Sequence, residues 1–274
     1  MSKGWESVYK RYLNDIDLPY NEMGKLMEQY RPKKLYRYMR FDDYWKKNVF
    51  EGQLYLAESS NVNDPFDCLV YIDREIYKKY MFENVCKLFP LMDRQILKET
   101  VRETIDDEID EQICNIKKKI RIACFTESNV SPLMWSHYAE SHKGFCVEYD
   151  LTKLPEGYTH CLLPVIYSNQ RYNATDAFIT NNKNLVMNPY YFKSLHWRYE
   201  KEWRMVITED LVTDGEYYAD FSTGISGIYI GIESMKNHKE KVEEIIKQYS
   251  IKGISVHEMY IEFDTYDMKS KIIN

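Results

Sequence analysis

The chain is poor in glycine and proline, with 10 and 8 of them in 274 residues. So low a content argues against disorder and against a glycine-rich loop wrapped around a phosphate. No G-x-G-x-x-G, Walker-type or G-x-S-x-G motif occurs, which removes the anchor of Rossmann, nucleotide-triphosphate and α/β-hydrolase readings. Long apolar runs are missing too. Gly224 to Ile232, among the longest, falls far short of the roughly 20 residues that span a bilayer. Nor is there an excess of base: 37 Lys and Arg against 43 Asp and Glu leave a net charge of −6 and a pI near 5.6. No global basic field therefore draws nucleic acid or acidic lipid. The six cysteines form no C-x-x-C pair, and His137 and His142 stand five apart, on different faces of a helix. No tetrahedral metal set follows from them, and no metal is expected. The opening segment is charged and aromatic, without a signal-peptide stretch. The expectation is an intracellular, cytoplasmic, reduced protein with no membrane part.

What is present in excess is aromatic: 25 Tyr, 11 Phe and 5 Trp make 15% of the chain. With 44% hydrophobic and 29% charged residues, a sizeable core and an ordinary soluble surface are both available. No repeat, low-complexity tract or Pro/Gly-rich linker divides the sequence, so 1–274 reads as a single α+β domain.

Periodicity places the elements. Residues 5–30 carry Trp5, Val8, Tyr9, Tyr12, Leu13 and Ile16 at helical spacings. Strands are expected at 34–39, 53–58, 120–126, 145–149, 161–167, 203–208, 225–232 and 254–263, about eight in all. Helices are expected at 42–50, closed by Gly52, and at 131–139, where Ser131-Pro132 supplies a cap and a first-turn proline and Gly144 the stop. Another is expected at 236–249 after a Ser234 cap, and 174–195 reads as weakly helical. Between 73 and 118 the sequence turns long, charged and helix-forming, with acids at 103–111 preceding Lys117, Lys118 and Lys119. That order suits a helix dipole and a solvated face. A helical hairpin inserted into the scaffold is the plain reading, and a protein-binding arm the other. The fold class is α+β, a mixed β-sheet core with flanking helices.

Three segments carry candidate chemistry. In His196–Arg204, HWRYEKEWR, extended backbone would put Arg198, Glu200, Glu202 and Arg204 on one face and Trp197, Tyr199 and Trp203 on the other. This reads either as a salt-bridged edge strand or as a carboxylate pair aimed into a cleft with an aromatic wall. Arg37, in the middle of Lys34–Met39, is either a structural ion pair or a guanidinium fork for phosphate. In Cys124–Ser128 a strand runs into hydroxyls, Thr126 and Ser128, which serve either as cap and turn or as ligand contacts. His137 and Trp135 share the capped helix and fit either a buried structural role or a site.

Together these segments resemble an uncharacterised bacterial family, the domain of unknown function numbered 2971. The resemblance rests on LYRY at 35–38, GQLYL at 52–56 and NDPFD at 63–67. It continues with CFT at 124–126, MWSHYA at 134–139, KGFCVEY at 143–149 and WRYEKEWR at 197–204. Where the family usually has an aromatic residue, Val62 precedes Asn63. The family implies an association with mobile and defence-type genes. A more distant similarity is to mono-ADP-ribosyltransferases, which carry an Arg, a Ser/Thr strand and an E-x-E in this order. That similarity implies NAD as substrate. Arg37 would hold the pyrophosphate, and Thr126 and Ser128 would orient ribose or the catalytic Glu. Glu202 would stabilise an oxocarbenium-like state, Glu200 would orient or deprotonate the acceptor, and Tyr55 or Trp135 would stack on a base. FTES stands where Ser-Thr-Ser is usual, and an Arg37–Tyr55–Glu202 assignment is the variant. The expectation is an NAD-using transferase or glycohydrolase, an anti-phage or toxin-type effector, with Glu202, Glu200 and His137 catalytic. The alternatives are a non-catalytic recognition module built on Trp135, His137, Tyr138 and Trp203, and a nucleic-acid enzyme with a basic groove from Lys117–Arg121, Arg198 and Arg204.

Overall fold

Alternating apolar runs become strands where a second layer can cover them, and the central strands of this chain are covered on both faces. The computed structural model describes residues 4–13, 20–182, 186–209 and 217–274. Thirteen strands are described: β1 (Lys34–Met39), β2 (Gln53–Tyr55), β3 (Ala57–Glu58), β4 (Ile120–Thr126), β5 (Phe145–Asp150), β6 (Leu162–Pro164), β7 (Ile166–Ser168), β8 (Phe192–Ser194), β9 (Glu202–Thr208), β10 (Tyr218–Asp220), β11 (Ile225–Ile230), β12 (Ser255–Ile261) and β13 (Met268–Ile272). Nine of them build one mixed sheet in the order β13-β12-β11-β5-β1-β4-β9-β6, with β3 also on β4. Only β11 and β12 run parallel within it. With its flanking helices the chain is α+β.

The sheet is split at its centre. β1 pairs β5 along its whole length but meets β4 at one position, Tyr36 opposite Thr126. On the same edge of β4, β3 pairs only at Ile122 and Arg121. Ala123 to Phe125 therefore have no strand partner on that side, and a gap opens between β1 and β4. Alternation sorts the side chains around it. Leu35, Met39, Phe125, Trp203 and Met205 enter the large core on one face, under Trp45, Val49, Val242, Ile245 and Tyr249. Ile122 and Val206 enter a second core on the other face, under Trp5, Tyr9 and Leu13. Thr126, Cys124, Glu202 and Arg204 share that second face by their cross-strand pairing. Arg37 leaves β1 on the opposite face, with Leu35 and Met39, and reaches the same space through the gap.

Helices α4 (Arg74–Leu88) and α5 (Arg94–Lys119) form the expected hairpin between β3 and β4. Asp73 and Asp93 cap them through their carboxylates. Leu97, Val101, Ile105 and Ile109 of α5, each four apart, are buried; the last three pack in one cluster with Tyr77 and Phe178, while Arg74–Asp110 and Lys78–Asp106 bridge the outside. No described helix is long and apolar enough to cross a membrane.

Several boundaries differ from the sequence expectation. The 5–30 segment is two helices, α1 (Trp5–Leu13) and α2 (Tyr20–Glu28), with 14–19 outside the described residues. The 53–58 strand is cut at Leu56 into β2 and β3, which join different sheets. The 161–167 strand is cut at Val165, and 254–263 is followed by β13. Helix α3 (Trp45–Phe50) starts later than expected, and Gly52 turns the chain after it at a φ of +67°. A Cβ there would lie 2.3 Å from the Ser222 backbone. In 174–195, a short helix and β8 replace weak helicity, with 183–185 outside the described residues.

Candidate active site

The gap between β1 and β4 is the mouth of a cavity of about 480 Å³, within the range of small-molecule sites. Arg37, Thr126, His137, Glu200 and Glu202 line it, so five of the eight residues singled out from sequence are brought together here. Tyr55 lines an adjoining cavity that shares Arg37 with this one. Trp135 and Ser128 are not brought in. Trp135 is fully buried: its indole N–H donates to the Asn129 carbonyl at 2.8 Å and its ring meets Tyr38 edge-on. It cannot stack on a ligand. Ser128 is a turn residue whose hydroxyl accepts from the Val130 N–H. Helix α6 (Pro132–Tyr138), capped by Ser131 as expected, turns out through Glu140, Ser141 and His142, all at positive φ.

The E-x-E does not lie on one strand. Leu195–Glu200 is a 3₁₀ turn, Lys201 is left-handed at a φ of +47°, and β9 begins only at Glu202. The even spacing thus fails to put Arg198, Glu200, Glu202 and Arg204 on one exposed face: Arg198 is exposed, while Glu200, Glu202 and Arg204 are 2%, 5% and 1% exposed. The sharp turn still brings the two carboxyl groups to one point. The Lys193 ammonium donates to Glu200 Oε2 at 2.5 Å and to Glu202 Oε2 at 3.0 Å.

Around that ammonium stands a closed ionic network. Arg204 forks onto Asp67 at 2.9 and 2.5 Å and onto Glu202 at 2.7 and 3.0 Å, and donates to the Tyr190 carbonyl. Tyr138 donates its hydroxyl to Glu200 Oε1 at 2.5 Å. Thr126 donates to the Glu200 carbonyl at 2.5 Å, and the Glu202 N–H donates to the Tyr167 hydroxyl at 2.8 Å. Both glutamates are thereby fixed in backbone and side chain. A buried bidentate Arg–carboxylate pair of this kind is directional and costly to break.

The two carboxyl groups are driven in opposite directions. Burial and the neighbouring Glu202 charge push Glu200 up to about 7, with Lys193 opposing. Burial alone would raise Glu202 as well, but Arg204 and Lys193 outweigh it and hold Glu202 well below the usual carboxylate range. At neutral pH one is permanently anionic and the other exchanges a proton. Burial and Glu200 raise the Tyr138 hydroxyl, which stays a donor. Cys124 faces the open cleft but is ringed by protein, and that surround, with Glu202, raises its thiol well above its ordinary value. His137 is exposed at the rim, bonded to the Tyr199 hydroxyl at 3.0 Å and edge-on to Trp197. Trp197 is itself pinned to Asp64 at 2.6 Å. On the opposite side Arg37 makes no ion pair among the described residues; its Nη1 is buried with no partner, and Nη2 meets the Tyr55 carbonyl only at 3.5 Å.

Lys193 and Asp67 are what sequence reasoning missed, and Arg204 was read only as a strand ion pair or part of a basic groove. Lys193 sits in a stretch without clear periodicity, and Asp67 reads as turn chemistry. Two residues of the expected basic groove are engaged elsewhere: Arg204 is inside the network, and Arg121 is buried under the Tyr217 ring beside Glu58 and Glu209.

A family model described as protein of unknown function (DUF2971) matches residues 134–205. The DUF2971 match begins inside α6 and takes in β5, β8 and nearly all of the network, with Lys193, Glu200, Glu202 and Arg204 inside it and Asp67 outside. It covers the MWSHYA, KGFCVEY and WRYEKEWR motifs but not those at 35–67 or 124–126. No curated protein and no solved structure matches the chain.

Proposed function

We propose that the cleft cleaves an N-glycosidic bond of a nucleotide, with NAD as substrate, in the manner of an ADP-ribosyltransferase or NAD glycohydrolase. The observation that carries this reading is a carboxyl pair of divided protonation in the same cleft as a guanidinium that forms no ion pair among the described residues. Two titratable groups whose surroundings push their pKa values apart are the mark of acid–base chemistry.

The roles follow from the charges. Arg37 offers a fork to the pyrophosphate. The C1′–N bond breaks with its electron pair leaving on nicotinamide, which departs neutral, and the ribose becomes an oxocarbenium ion. The fixed anion of Glu202 stabilises that positive charge without having to reorganise. Water or an acceptor group then attacks C1′, and its proton passes to ionised Glu200, whose value near 7 suits a base at neutral pH. Thr126 holds the Glu200 backbone in place, and His137 orients Tyr199 at the rim. A recognition module would present an apolar pocket without converging carboxylates, and this pair counts against it.

The test is free nicotinamide released from NAD by the purified protein, by Glu202→Gln and by Glu200→Gln, with melting curves confirming that each is folded. Release by wild type, lost in both variants, supports the reading. A folded wild type that releases none overturns it.

A further inference from the structure

The cleft does not end at Arg37. Beyond it lies a second cavity of about 440 Å³ in which Arg37, Arg40, Tyr44, Asn48, Tyr55 and Tyr218 meet. The two cavities adjoin, with Arg37, Tyr38, Arg40 and Tyr138 lining both. Tyr138 ties the ends together, since it also donates to Glu200.

The second cavity has its own chemistry. Neither Arg37 nor Arg40 forms an ion pair among the described residues, and the lining holds one carboxylate, Asp42, which accepts from the Tyr44 N–H. The Lys47 ammonium stands 3.9 Å from the Tyr218 ring centroid, adding a third cation at the rim. Past the cations come aromatic faces. Tyr44 and Tyr55 are 62% and 42% exposed, and Tyr55 and Tyr218 lie 5.4 Å apart at an interplanar angle of 57°. Asn48 donates its amide N–H to the Tyr44 carbonyl, leaving its own carbonyl oxygen as an acceptor. Positive charge followed by exposed rings is what binds a phosphate carrying a base, because phosphates take the charge and every base has a π-face to stack.

We infer that this cavity is a base subsite, and that the ligand continues past its phosphates: a dinucleotide, with one sugar over Glu200 and Glu202, the diphosphate at Arg37 and Arg40, and the second base against Tyr44, Tyr55 and Tyr218. The inference rests on the N-glycosidic reading for the occupant of the far end, but the subsite stands on its own lining. A mononucleotide would leave the aromatic end empty.

Two measurements separate the subsite from the chemistry. ADP, which has the base and diphosphate but no nicotinamide, is titrated calorimetrically into wild type, Tyr55→Ala and Tyr44→Ala. Nicotinamide release is then compared for NAD and for nicotinamide mononucleotide with wild type. Base–aromatic stacking predicts that ADP binds and that each tyrosine variant weakens it at least about fivefold. It also predicts a KM for the mononucleotide at least tenfold above that for NAD. Tyr44 is mostly in solvent, so its variant keeps the test open if Tyr55→Ala disturbs β2. ADP binding that depends on the tyrosines, without nicotinamide release, keeps the subsite and removes the chemistry. Equal use of the two substrates, or ADP binding indifferent to both tyrosines, overturns the subsite and leaves the chemistry standing.

Discussion

Replacing Glu200 by Gln tests the divided protonation directly, because Gln mimics the protonated acid and cannot ionise. The amide fits in one orientation, with its oxygen toward Lys193 and its N–H toward the Tyr138 oxygen. In the folded wild type Glu200 titrates near 7, against 4.5 for an unperturbed carboxyl. Between those values the folded chain holds a proton that the unfolded chain has released. Stability from this group is therefore complete below about pH 4.5 and is lost as pH rises through 7. A shift of this size corresponds to about 3 kcal/mol, and at 2% exposure solvent does little to screen it. The assay is urea unfolding of wild type and Glu200→Gln from pH 5 to 9. Groups that titrate elsewhere contribute alike to both proteins and cancel. Wild type should lose about 3 kcal/mol relative to the variant over this range, roughly 5 °C in melting temperature for a chain of this length. In nicotinamide release by wild type, the rate should rise through pH 7 as the base form appears. Stability curves that stay parallel within about 0.5 kcal/mol would show Glu200 ionising normally, and its role as the acceptor's base would fall with them.

Two further changes test the architecture around the site. Arg204→Met leaves Asp67 and Glu202 buried with only Lys193 to share, and should cost about 3–5 kcal/mol. Thermal melting should show a drop of roughly 5–9 °C, smaller at acid pH, where the orphaned carboxylates can take protons; a loss under 1 kcal/mol would mean that Glu202 is not held by Arg204. Gly52→Ala places a Cβ 2.3 Å from the Ser222 backbone at a φ of +67°, and roughly 2 kcal/mol or more should be lost in urea unfolding. A neutral result there would mean that the α3–β2 turn is not built as described.

What could be read in advance depended on whether the signal was local. IRIACFT and WRMVIT are short, mostly apolar runs and became β4 and most of β9, strands buried on both faces over most of their length. Ser131-Pro132 announced α6 because a cap acts within one turn. Lys201 gave no warning. A lysine in the left-handed region has no composition signal, yet it ends the 3₁₀ turn and redirects Glu200. Asp67 was hidden for another reason: NDPFD is turn chemistry, and Asp64 does accept from the Phe66 N–H. That the last acid of the turn lies under Arg204, 137 positions away, is a tertiary fact. Trp135 shows the converse, a residue whose size suggested a ligand wall and whose place in the core is set by Tyr38 and Asn129.

The count of charges in the network explains why fold and proposed chemistry meet at Glu200. Three buried carboxylates, Asp67, Glu200 and Glu202, face two cations, Lys193 and Arg204. Asp67 and Glu202 each take a bidentate fork of Arg204 and each lie beside Lys193, and Glu202 is held as an anion. One negative charge is left over, and it falls on Glu200, which has Lys193 on one oxygen but only the neutral Tyr138 hydroxyl on the other. An uncompensated charge in a buried site is resolved most cheaply by a proton. The mismatch that makes this carboxyl a poor structural partner therefore tunes it to exchange a proton near neutrality, in the wall of the cleft that also holds Arg37. A third cation, or one carboxylate fewer, would give a more stable core with no titrating group in it. Asp67→Asn makes that distinction within the intact fold: it removes one negative charge from the cluster, so Glu200 should titrate lower and the pH midpoint of nicotinamide release should move down with it. A midpoint that stays where it is in wild type would separate the proton exchange from this charge balance.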